Sequence, residues 1–134
     1  MLGEILTAIV TPFKRDGSVD LERFRALASH LVENGSDGLV VTGTTGESPT
    51  LSDDERFQLY EAAVDEVGDR ATVVAGTGTY STQHSVHLTE RTHDLDVLGV
   101  AHRRDVGIEI LGQLHAGRAD RTGRAVDEEL PSPP

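Results

Sequence analysis

The chain has 134 residues, of which 23 are acidic and 12 basic, giving a formal charge of −11, and it has no cysteine. That acidity argues against nucleic acid and anionic membrane surfaces as partners, since both are bound by basic faces, and the missing thiols exclude disulfides and thiolate metal sites. The length suits one domain with a core but falls short of the about 250 residues of a complete (β/α)8 barrel.

Ile5 to Val10 is an apolar, β-branched run expected as a buried strand. Thr11-Pro12 ends it, because proline has no N–H for a ladder, and Lys14-Arg15-Asp16-Gly17 carries turn chemistry. From Asp20 as N-cap, Leu21, Phe24, Leu27, Ala28, Leu31 and Val32 recur at helical spacing until Gly35. A second strand is expected at Leu39 to Val41. Ser52 and Glu55 have the spacing of a capping box, and Asp53, Asp54 and Glu55 complement the dipole of the helix behind it. That helix carries Phe57, Leu59, Tyr60, Ala63, Val64 and Val67 and stops at Gly68. A third strand at Thr72 to Ala75 leads through Gly76 to Tyr80 into a helix capped by Ser81 or Thr82, with Val86, Leu88 and Leu95 as a weaker apolar face.

Strand then helix, three times, predicts adjacent parallel strands over 5–10, 39–42 and 72–76 with right-handed crossovers. No apolar run approaches the ~18 residues of a membrane helix, and MLGEILTAIV lacks a basic leader, so a cytoplasmic protein is expected. Lys14 is the only lysine. An acidic, lysine-poor surface suits high salt, which screens self-repulsion.

The chemistry gathers in GLVVTGTTGESPTL, residues 38–51. Glycines let the backbone turn sharply and approach a ligand closely, and two threonine hydroxyls with nearby N–H groups can grip a small carboxylate or relay a proton. The loop is not a P-loop, because no Gly-Lys-Ser/Thr follows. A Gly/Thr connection without a ligand is the plainer alternative.

TGTTGESPTLSDDE resembles the second βα loop of the dihydrodipicolinate synthase family, also called 4-hydroxy-tetrahydrodipicolinate synthase. LTAIVTPFKRDGSVD resembles that family's first strand and loop, and TVVAGTGTYST its third. The resemblance runs from about Gly3 to about Leu95 and implies the N-terminal part of a (β/α)8 TIM barrel, an α/β fold, with an irregular tail after about three βα units. It also implies a pyruvate-dependent lyase of lysine biosynthesis through diaminopimelate, which joins pyruvate to aspartate semialdehyde through a lysine Schiff base, with no cofactor and no metal. By the same resemblance Thr44 matches the proton-relay threonine, Thr45 the residue that binds the pyruvate carboxylate, and Gly46 lies in the same substrate-binding motif. A 2-keto-3-deoxy sugar-acid aldolase, a neuraminate lyase, or a non-catalytic partner or remnant chain are the alternatives, and two adjacent threonines speak against the neuraminate lyase. The full-length family is expected to be homo-oligomeric.

The Schiff-base lysine has no counterpart in the resembling stretch. Lys14 reads as a solvated turn lysine, Tyr80 as an amphipathic plug at a loop end, and Tyr60 as packing. His84, His87 and Glu90 have ligand-like spacing but read as a solvated helix face. His30, His93, His102 and His115 form no constellation.

After Leu95 the resemblance fades. Val97 to Arg104 lacks the paired tyrosines of the family's fourth strand, Ile108 to Leu114 suggests a short element, and HAGRADRTGRAVDEELPSPP reads as a disordered tail. The expected division is a partial barrel over 1–95 and a divergent tail over 96–134, from a frameshift or truncation, with a genuine short variant as the alternative. Three parallel units alone leave a sheet edge and an apolar inner face open, so association or aggregation is expected.

Overall fold

The computed structural model describes residues 3–95 and 97–100. Expectations for His102, His115, the 108–114 element and the tail fall outside the described residues. The four strands β1 (Leu6–Ala8), β2 (Gly38–Val41), β3 (Thr72–Gly76) and β4 (Leu98–Val100) form one sheet in the order β1-β2-β3-β4. Every pairing is parallel, with Leu6 opposite Gly38, Gly38 opposite Thr72 and Val74 opposite Leu98. Helices α1 (Leu21–Glu33), α2 (Asp53–Val67) and α3 (Thr82–Thr92) connect successive strands. This is the α/β wall of a partial (β/α)8 barrel.

The caps explain where the helices begin. Asp20 accepts from the Arg23 N–H, Ser52 and Glu55 close a reciprocal capping box, and Ser81 accepts from the His84 N–H. Each satisfies a donor that the first helical turn leaves orphaned. Helix α1 ends at Asn34, and Gly35 follows at φ +105°, a left-handed conformation glycine adopts freely.

Strand alternation sorts the faces. Leu39, Val41, Val73 and Ala75 point into a core with Phe24 and Ala28 of α1, Leu59, Tyr60, Ala63 and Val67 of α2, and Leu88 of α3. Between α1 and α2, Arg25 donates to the carbonyl of Ala62, and Arg70 donates to Ser29, which donates to Glu66. Among the described residues no helix is long and apolar enough to cross a membrane.

Four expectations change. The first strand is shorter than 5–10 and is not buried: Ile5, Leu6 and Val10 are 57%, 39% and 49% exposed, and only Ile9 is enclosed. Among the described residues nothing pairs with the outer edge of β1, so its far face stays open. Strand β2 ends at Val41, because Thr42 turns to φ +53°. On α3 the inward residues are Ser85, Leu88 and Thr92, while Val86 is exposed and Leu95 lies past the helix. Ser85 and Thr92 tolerate burial by donating to the carbonyls of Ser81 and Thr89. Finally, β4 lies beyond residue 95 and continues the parallel order.

Candidate functional site

Parallel strands send all their βα loops out of one edge of the sheet. The loop after β1 holds buried Thr11, whose hydroxyl donates to the carbonyl of Gly46 at 2.8 Å. The loop after β2 is a compact turn. The Gly43 carbonyl accepts from the N–H groups of Gly46 and Ser48, and the Thr44 carbonyl accepts from Glu47. Glu47, at φ +57°, then enters a single 3-10 turn at Ser48–Thr50. A Cβ on Gly46 would lie 3.1 Å from the Thr42 Cα and 3.2 Å from the Ile9 carbonyl oxygen, so glycine lets the turn fold back onto the sheet end.

Thr44 and Thr45 occupy the exposed tip of this turn. Among the described residues, no protein group bonds their hydroxyls. They follow the C-terminal end of β2, with the β1 loop tied to the base of their turn. The β3 loop abuts it too, since a Cβ on Gly76 would stand 2.5 Å from the Thr42 carbonyl oxygen. The arrangement therefore offers two free hydroxyls, three converging loops and a close-packed base.

Beneath the tip lies a contact the sequence did not announce. Tyr60, fully enclosed on α2, places its phenol oxygen 2.7 Å from Thr42 Oγ1 and donates to the Gly76 carbonyl at 2.9 Å. Burial pushes its pKa above the ordinary 10.0, partly offset by the Thr42 hydrogen bond. The available signal was a tyrosine at a core position of α2, among Leu59, Ala63 and Val67; a buried tyrosine hydroxyl needs a partner.

Other candidates separate from this tip. Tyr80 is not a plug: it is fully exposed. Lys14 sits in an exposed turn closed by its own N–H to the Ser18 carbonyl. His84 Nε2 lies 3.0 Å from both carboxylate oxygens of Asp53, linking the first turns of α3 and α2, while His87 and Glu90 are exposed. Arg56 is buried below the 3-10 turn and donates through Nη2 to the Ser48 carbonyl at 2.6 Å. Among the described residues, no cluster of three or more His, Asp or Glu is placed to hold a metal.

A model of the dihydrodipicolinate synthetase family matches residues 1–102. The chain is 58% identical over 89 residues to the 4-hydroxy-tetrahydrodipicolinate synthase of Mycolicibacterium gilvum, covering 66% of this chain and 30% of that one. For the Acidothermus cellulolyticus protein of the same name the values are 53% over 98 residues, 73% and 32%. The crystal structure of dihydrodipicolinate synthase from Aquifex aeolicus superposes with a TM-score of 0.67 at 42% identity, over 72% of this chain and 32% of that chain. A Sulfolobus solfataricus 2-keto-3-deoxygluconate aldolase variant reaches a TM-score of 0.66 at 31% identity, over 74% and 33%. The chain spans about a third of the length of the curated relatives it matches. With parallel βα units and the TGTTGES turn in the matched region, the chain belongs to the dihydrodipicolinate synthetase family.

Proposed function

We propose that this chain carries the carboxylate-gripping loop of a pyruvate-dependent lyase of the 4-hydroxy-tetrahydrodipicolinate synthase type, which condenses pyruvate with aspartate semialdehyde in lysine biosynthesis. The observation that carries this reading is the free hydroxyl pair of Thr44 and Thr45 on a glycine-tightened turn at the strand ends. Thr45 and the adjacent N–H groups would hold the pyruvate carboxylate, and the Thr44 hydroxyl would pass a proton to and from the reacting carbon skeleton. The relatives named as synthases share more identity with the chain than the sugar-acid aldolase does, which favours the synthase reading.

Schiff-base chemistry needs a desolvated lysine amine. The one lysine of these 134 residues, Lys14, stands in an exposed turn, and an open sheet face would not exclude water from an iminium. The chain as it stands is therefore a binding element that does not turn over, and its open β1 face suits association with further barrel wall.

Titration of the labelled chain with pyruvate, followed by amide NMR, tests this. Shifts largest at residues 43–47 and abolished by Thr45→Val are expected, with no mass increase after borohydride. No response in the loop would remove the site. A stoichiometric reduced adduct on Lys14 would instead make the short chain an enzyme in its own right.

A further inference from the structure

We propose that Tyr60 is a positioning residue: its buried hydroxyl holds Thr42 in the left-handed turn that aims the Thr44–Thr45 tip. The functional half of this inference rests on the carboxylate-binding reading above; the conformational half does not.

Thr42 has φ +53°, a region β-branched residues rarely enter because Cβ crowds the backbone. Such a conformation persists only where its surroundings over-determine it. Three short contacts do so here: Thr42 Oγ1 to the Tyr60 oxygen at 2.7 Å, Thr42 Oγ1 to the Gly76 carbonyl at 3.1 Å, and the Tyr60 hydroxyl to that carbonyl at 2.9 Å. Two hydroxyl hydrogens serve these three contacts, so however they are shared, the Gly76 carbonyl accepts at least one. The triangle joins the end of β2, the end of β3 and the middle of α2.

The ring of Tyr60 has a separate packing role, meeting Phe57 edge-on with centroids 5.5 Å apart. Phenylalanine would keep that role and lose only the oxygen. Behind the turn, the backbone of Gly76 approaches too closely for any Cβ, so Thr42 is backed by β3 and held from below by α2. Thr44 follows only two residues later.

The test compares wild type, Tyr60→Phe and Tyr60→Phe/Thr42→Gly by amide hydrogen exchange and pyruvate titration. In Tyr60→Phe, the Gly46, Glu47 and Ser48 amides should exchange about tenfold faster, as for loss of one hydrogen bond, while those of Ala63 to Val67 keep their protection. Pyruvate should bind about fivefold more weakly, the tip being less often in its binding-competent shape. Adding Thr42→Gly should restore both, because glycine takes the left-handed turn without a clamp. Unchanged loop exchange, loosening spread evenly through α2, or no rescue by the glycine would each overturn the proposal. If wild type shows no pyruvate binding, the carboxylate reading fails, and loop exchange and its rescue still decide the role of Tyr60.

Discussion

The hydroxyl of Thr11 donates to the carbonyl of Gly46 at 2.8 Å, joining the loop after β1 to the turn after β2 across 35 positions of sequence. Both residues are buried. Thr11→Val removes the donor at nearly constant volume and leaves a buried carbonyl short of a partner, at a cost of about 1–3 kcal/mol. Urea unfolding should show a lower midpoint at unchanged slope, and Thr11→Ser should recover most of the loss.

Gly76 and Gly17 should respond to alanine for different reasons. At Gly76 the new methyl would meet Thr42 backbone atoms at 2.5 and 2.8 Å, so β2 and β3 must part. A loss of about 1–3 kcal/mol, or more, is expected from such overpacking. At Gly17 nothing lies within 4 Å, but φ is +86°, and the penalty is the smaller conformational one of about 1 kcal/mol. Thermal melts of the two variants should rank them in that order.

Removing the hydroxyl of the α2 cap should be measurable. Ser52 accepts from the Glu55 N–H, and the Glu55 carboxylate accepts from the Ser52 N–H at 2.8 Å. Ser52→Ala should cost about 1 kcal/mol, read by denaturant titration, and Ser52→Asp should retain most of the cap.

Acid should weaken the attachment of the N-terminal segment. Asp37 accepts from the N–H groups of Ile5 and Glu4, both at 2.8 Å, and these bonds hold its pKa below the ordinary 3.8. A carboxyl with a depressed folded-state pKa takes up protons more readily once unfolded, so stability rises with pH through this window. The contribution is complete above the ordinary value and disappears as pH falls through the folded one. Stability measured against pH should fall less steeply below that value in Asp37→Asn than in wild type.

The formal charge of −11 gives a further expectation. Added sodium chloride should raise the melting temperature, because screening of the acidic excess outweighs weakening of a few exposed ion pairs. A melting temperature that falls with salt would show that those pairs dominate.

Local signals carried most of the fold. Ser52 and Glu55 sit three apart, Leu21 to Val32 repeat at helical spacing, and these patterns need no knowledge of the rest of the chain. The GTTGE stretch was legible as a turn, but its left-handed residues are Thr42 and Glu47 rather than its glycines, and Gly46 serves close approach to Thr42. The structure departed from expectation where a residue depends on what covers it. Ile5 and Val10 look like core, yet they are open because nothing described lies across β1. Val86 is apolar enough to pack, but α3 offers its Ser85 and Leu88 side to the core, and Tyr80, just before the cap of that helix, stands fully exposed. The contact of Tyr60 with Thr42 spans 18 residues and depends on the exact rotation of α2, which periodicity sets only to within a side chain.

Three ties run along the rim of the sheet: Thr11 to Gly46, Thr42 to Gly76, and Asp53 to His84. Each spans neighbouring βα units, so the loops above them are expected to share their fluctuations. On the proposed reading, a carboxylate held at Thr45 would draw motion out of the first and third loops as well, although neither need touch the ligand. The entropy of binding is then a property of the whole rim, and calorimetry would register ordering in residues that no contact map assigns to the site.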